Sequence, residues 1–128
     1  LRFHWGYAIQ DVLVLTTDGL LYSTGTGTSH LTRGINKTVL TTTEDRTYQK
    51  VNLSQLEADD TIIDITGGSS GFYYQDPNSY AGNYWAYYAL TSKGNILSWG
   101  KYNANGRPLN YDSLLPEYIY KDGKFISY

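Results

Sequence analysis

Two stretches, LTTDGLLYSTG (Leu15–Gly25) and LTSKGNILSWG (Leu90–Gly100), align without a gap: Leu-Thr, two turn residues, Gly, an apolar return, Ser and a closing Gly. The glycine after the two polar residues supplies the positive φ that a tight, two-residue hairpin turn requires. The apolar and β-branched flanks predict strands over Val12–Thr16, Leu20–Thr24, Trp85–Thr91 and Ile96–Trp99, so each stretch reads as a β-hairpin. The two hairpins look like copies of one unit.

Beyond the hairpins, Thr61–Thr66 is a further short apolar run, closed by Gly67-Gly68, and Val51 and Ile119 sit in shorter runs suited to edge strands. Helix signals are nearly absent. Leu53–Asp60 offers Ser54 as a cap with Glu57 three residues on, but Asp59-Asp60 would sit badly at a helix C-terminus. The segment reads as one helical turn or a loop. No long helical stretch separates the strands of either hairpin, as βαβ crossovers would require, so the expected fold is all-β and antiparallel.

Composition narrows the function classes. The chain has 128 residues, is 41% hydrophobic and 16% aromatic, and carries 14 Tyr, which is too apolar for a disordered segment. Ten basic against twelve acidic side chains give a net charge of −2, which argues against a phosphate-binding groove and hence against nucleic acid as the partner. The absence of cysteine removes disulfide frameworks, thiolate zinc sites and cysteine nucleophiles. No apolar run approaches the roughly 20 residues of a membrane helix. The chain opens on Leu1 and contains no Met, which reads as a processed product, a fragment, or part of something longer.

The second hairpin continues as KYNANGRPL (Lys101–Leu109), and TIIDITGG (Thr61–Gly68) precedes it. Here the sequence resembles the regulator of chromosome condensation repeat family. Ala89-Leu90-Thr91, Gly94, Ser98-Trp99-Gly100, Asn103 and Gly106 match its repeat. The first copy keeps Leu15-Thr16, Gly19, Ser23 and Gly25 but carries Thr24 where the family has Trp. Tyr48–Val51 and Pro116–Ile119 take the Pro-x-x-Val place, the first without its proline, and Phe125–Tyr128 resembles the start of a next strand, like Ile62–Ile65. The resemblance is most specific over residues 89–106. It implies β-propeller blades, with Gly19, Gly25, Gly67, Gly68, Gly94, Trp99, Gly100 and Gly106 as structural repeat positions.

On that reading residues 1–128 form a single repeat module, with units around 12–66 and 61–128. The strands add up to two from one blade, a whole middle unit and the opening of a third. That is about two blades, where closed propellers have about 4–8. The ring is then completed either by a longer chain or by further subunits in a homo-oligomer.

Between Gly68 and Ala89 the family needs only a few residues, whereas this chain has SSGFYYQDPNSYAGNYWAYY (Ser69–Tyr88), an aromatic insertion over 69–85. Phe72, Tyr73, Tyr74, Tyr80, Tyr84 and Trp85 stand there among Ser, Gly, Asn and Asp, the mixture that binding loops use. Stacking on sugar faces would suit a surface glycan. The same aromatics would also serve to cover a sheet edge or pack on a neighbouring subunit.

Other motifs carry less. TGTGTSH (Thr24–His30) lacks the Gly-Lys-Ser/Thr ending and following helix of a phosphate loop. His4 and His30 are the only histidines and nothing groups them with carboxylates, so no metal site or cofactor is expected. Glu44-Asp45 and Asp59-Asp60 are carboxylate pairs, but neighbours in a strand face opposite ways and in a loop are solvated. Asn36-Lys37-Thr38 and Asn52-Leu53-Ser54 are sequons, relevant only in a glycosylating compartment. The expectation is a non-enzymatic binding or structural module of an extracellular or virion assembly, such as a phage tail-fibre or adhesin segment contacting glycans or partner subunits. The alternative is a cytoplasmic protein-interaction propeller of the guanine-nucleotide-exchange scaffold type.

Overall fold

The structure, a computed structural model, describes residues 2–5, 12–24, 34–35, 47–69, 85–100 and 113–126. These form nine strands: β1 Arg2–Trp5, β2 Val12–Leu15, β3 Leu21–Thr24, β4 Gln49–Lys50, β5 Ile62–Ser69, β6 Trp85–Thr91, β7 Ile96–Gly100, β8 Ser113–Lys121 and β9 Lys124–Phe125. No helix occurs among the described residues. The N-terminal sheet runs β1-β2-β3-β4 and the C-terminal sheet β5-β6-β7-β8-β9, each a meander with every pair antiparallel. The chain is all-β and antiparallel.

The two hairpins share more than their sequence pattern. Leu15 pairs with Leu21 and Leu90 with Ile96; Val14 pairs with Tyr22 and Ala89 with Leu97. The Thr16 N–H donates to the Leu20 carbonyl at 2.9 Å, and the Thr91 N–H to the Asn95 carbonyl at 2.9 Å. Each threonine hydroxyl also accepts the N–H four residues on, at 3.0 and 3.1 Å. Gly19 and Gly94 hold φ of 82° and 79°. These are three-residue loops in which a turn is followed by a left-handed glycine, not the two-residue turns expected from Asp18-Gly19. The glycine requirement is the same, but it falls after the turn, so Leu20 and Asn95 are the first residues past it.

Flanking strands have the same register on both hairpins. Arg2 pairs with Leu15 as Asp64 pairs with Leu90, and Gln49 pairs with Ser23 as Glu117 pairs with Ser98. The faces they bury differ. In the N-terminal sheet Leu13, Leu15, Leu21 and Ser23 are buried, while Val12, Val14, Tyr22 and Thr24 are half-buried. In the C-terminal sheet Tyr87, Ala89, Leu97 and Trp99 are buried, and these align with Val12, Val14, Tyr22 and Thr24; Ala86 and Ser98 are buried on the other face as well. Opposite faces of matching hairpins therefore meet in one core, which joins Leu13, Leu15 and Leu21 to Ile65, Ala89, Leu97 and Trp99. Fully buried Trp99 lies against Tyr87 at 5.8 Å between ring centroids.

Several expectations are corrected. Of the two readings of Leu53–Asp60 the loop is the one found: the Leu56 N–H donates to Leu53 O and the Asp60 N–H to Glu57 O, giving two successive β-turns. Asn52, not Ser54, is the local cap, its side-chain oxygen accepting the Ser54 N–H at 2.9 Å. Gly67-Gly68 do not close their strand. β5 runs through them, paired with Tyr87 and Ala86, because cross-strand hydrogen bonds need no side chain. Ile119 lies in β8, which is paired on both sides and is no edge. Lys124–Phe125 folds back on β8 through Asp122 (φ 53°) and Gly123 (φ 80°) instead of opening another unit. The N-terminal sheet has four strands where the hairpin alone gave two.

Candidate functional site

Four connections leave from one end of the sheets. Ser69 pairs with Trp85, and Gly100 with Ser113, so segments 70–84 and 101–112 depart side by side. In the other sheet Trp5 pairs with Val12, and Val12 with Thr24, so segments 6–11 and 25–48 depart together. At the opposite end lie the tight turns. A Cβ placed on Gly19 would meet the Ile62 carbonyl oxygen at 3.5 Å, which brings the first turn beside Thr61 and Ile62. The Ser92 N–H donates to the Thr61 carbonyl at 2.8 Å, which brings the second turn to the same place. The two sheets thus present these four connections at one end, the long-connection end, and at the other the tight turns together with the connection 51–61 that joins β4 to β5.

Trp85 opens β6 at the long-connection end. Phe72, Tyr73, Tyr74, Tyr80 and Tyr84 belong to segment 70–84 and lie outside the described residues, as do Gly25, Gly106, His30, Asn36, Glu44 and Asp45. Of the remaining repeat positions, Gly19 and Gly94 sit in the turns, Gly67 and Gly68 in β5, and Trp99 and Gly100 at the end of β7. His4 pairs with Leu13 in β1. Asn52 is exposed.

The turn end is organised by Asp60, which is only 3% exposed. Its Oδ1 accepts the Thr61 N–H at 3.0 Å, the Ser92 hydroxyl at 3.0 Å and the Lys93 N–H at 3.2 Å. Its Oδ2 accepts the Asn95 side-chain amide at 3.4 Å and the Tyr118 hydroxyl at 3.3 Å. The Tyr118 hydroxyl oxygen in turn accepts the Glu57 N–H at 3.1 Å, and the Asn95 side-chain Oδ1 accepts the Asp122 N–H at 3.0 Å. Burial would push the Asp60 pKa up, but hydrogen bonds from Thr91, Ser92 and the Lys93 and Thr61 N–H groups outweigh it and hold the carboxyl below its ordinary value. Asp60 therefore ties the loop before β5, the β6–β7 turn and β8 into one clasp. Reading Asp59-Asp60 as a solvated pair was wrong for Asp60, because its neighbours Ser92, Lys93 and Asn95 are distant in sequence.

Around the clasp runs a solvent-facing ion-pair group: Lys93 with Glu57 at 3.1 Å and Asp59 at 2.6 Å, and Lys121 with Glu57 at 2.5 Å. Lys121 and Lys93 hold the Glu57 pKa down, and Lys93 does the same for Asp59. Such exposed pairs contribute little to stability. Among the described residues no group of three or more potential metal ligands exists. A shallow cleft of ≈ 380 Å³ lies between the first turn and β5, lined by Thr16, Asp18, Gly19, Thr61, Ile62 and Ile63 among others. Among its described lining residues Asp18 is the one ionisable group, and its carboxylate accepts the Thr16 hydroxyl.

No protein-family model matches the chain, and a search of curated proteins gave no match.

Proposed function

We propose that the chain is a non-enzymatic binding module whose ligand-contacting surface is the long-connection end, where the aromatic segment 70–84 leaves β5 and returns at Trp85. The supporting observation is the placement of that segment on paired strand ends of a two-sheet scaffold, since loops held by rigid scaffolds are where binding residues concentrate. Phe72, Tyr73, Tyr74, Tyr80, Tyr84 and Trp85 supply amphipathic rings, and the interleaved Ser, Gly and Asn supply hydrogen bonds. A surface glycan is the ligand class that such rings fit by stacking. At the other end the buried carboxylate already accepts hydrogen bonds from several donors, so it is occupied in holding the fold and not poised as a general base.

The meander order of each sheet and the shared hairpin register favour propeller-type blades of the regulator of chromosome condensation kind, set in an extracellular or virion assembly such as a tail fibre or adhesin. A glycan array tests the binding reading. The wild-type chain is expected to retain a defined set of glycans, and Tyr73→Ala and Tyr80→Ala to weaken retention about tenfold or more with folding unchanged. Variants that fold and bind as wild type would remove the aromatic segment from the ligand site.

A further inference from the structure

The strongest unassigned feature is the outer face of the C-terminal sheet. Leu90 pairs with Ile96, Ile96 with Tyr120 and Tyr120 with Phe125, so four large apolar residues form a row across β6 to β9. Leu90 is 39% exposed and Phe125 79% exposed. The Tyr120 and Phe125 rings meet edge to face at 5.1 Å, which fixes them as a surface in place of two loose side chains. A groove of ≈ 370 Å³ runs beside the row over Asp64, Thr66, Tyr88, Leu90 and Ile96. Contiguous apolar surface of this kind marks an interaction site.

The chain itself indicates what covers it. By the hairpin alignment, Tyr88, Leu90, Ile96 and Ser98 stand where Leu13, Leu15, Leu21 and Ser23 stand in the N-terminal sheet, where that face is buried inside the molecule; on the C-terminal sheet Ser98 is buried too, Tyr88 and Ile96 are half-buried and Leu90 is exposed. In the N-terminal sheet it is covered by the face of Ala89, Leu97 and Trp99. The positions aligned with that covering face are Val14, Tyr22 and Thr24, on the outer side of the N-terminal sheet and half-buried. Each outer face of the molecule thus carries the counterparts of one side of its internal sheet–sheet interface, and on the C-terminal sheet the part left open is that of Leu90 and Ile96. One molecule cannot bring its two outer faces together, because its own core lies between them, whereas a second copy can.

We infer that the outer face of the C-terminal sheet docks the outer face of the N-terminal sheet of a second copy of this chain, continuing the internal interface from molecule to molecule. The contact is heterologous: each copy uses a different face toward each neighbour, so assembly proceeds to a ring or a filament and does not stop at a two-fold dimer. This rests on the shared hairpin register and not on the ligand proposed for the other end of the sheets.

Sedimentation of wild-type chain, two single variants and their mixture tests it. Leu90→Glu places a charge on one face and Tyr22→Glu on the other, with Lys50→Glu, exposed and paired with Tyr22, replacing the latter if it fails to fold. Wild type is expected to form species beyond dimer at concentrations up to about 100 μM, and each folded variant alone to lose self-association by about tenfold or more in apparent Kd. An equimolar mixture retains one intact pair of faces and is expected to form a one-to-one dimer that goes no further. A monomeric wild type overturns the proposal, as do folded variants that assemble like wild type or a mixture that stays monomeric. Glycan retention by monomeric variants separates this outcome from failure of the ligand reading.

Discussion

Asp60 is the residue on which the turn end depends, and its chemistry sets two expectations. Asp60→Asn keeps the shape but turns one acceptor oxygen into an amide donor facing the Thr61, Ser92 and Lys93 donors or the Asn95 and Tyr118 donors. Unfolding in urea is expected to show a loss of about 1–3 kcal/mol. Because the folded carboxyl has a lowered pKa, its contribution is fully present above the unfolded value of about 3.9 and disappears as pH falls through the lower folded value. The wild-type chain should therefore lose stability on acidification below about pH 4 more steeply than Asp60→Asn does; equal slopes would show that another group controls the acid limb. Gly34 is the second such residue. It holds φ 66°, and a Cβ there would lie 2.8 Å from Val51 Cγ1 and 3.3 Å from Trp99 Nε1. Gly34→Ala combines left-handed strain with overpacking and is expected to cost about 2–4 kcal/mol. Gly94→Ala, where a Cβ meets nothing within 4 Å, should cost only about 1 kcal/mol of strain. Neither Asp60 nor Gly34 announces itself in the sequence, since burial of a loop carboxylate and close approach to a glycine are both created by residues far along the chain.

The hairpins were legible as elements because turn chemistry and alternation are local. Glycine after two polar residues marked both loops, and β6 runs over Trp85–Thr91 as its apolar and aromatic content suggested. The same local logic was available at Asp122-Gly123, a pair suited to the mirror-image turn that joins β8 to β9. β1 was not read from the sequence although Gly6 follows it, since the four residues Arg2–Trp5 are too short a run to declare an alternation and form a strand by virtue of their pairing with β2. Pro116 likewise obscured β8, but it falls between the Gly100–Ser113 and Ser98–Glu117 pairs, where the register shifts and no ladder donor is missed. The β6–β7 hairpin has the larger share of the core through Trp99. Trp99→Ala should destabilise by about 3–5 kcal/mol, read as a lower urea midpoint, and a change below about 1 kcal/mol would mean that the indole is not packed as described.

For the whole molecule, two meanders bury opposite faces of matching hairpins and separate a turn end, closed by the Asp60 clasp, from the long-connection end. Sequence pattern alone gave the all-β class and the aromatic insertion. It did not give this polarity, which comes from strand register and from the contact of Gly19 with Thr61 and Ile62. On the proposed function, ligand is met at the long-connection end. Backbone amide shifts of the folded chain, recorded while adding the glycan best retained on the array, test it most directly. Shifts are expected to gather at Ser69, Trp85, Gly100 and Ser113, with Lys93, Asn95 and Asp122 unmoved. Shifts gathered at the Asp60 clasp, or none at saturating glycan, would contradict it.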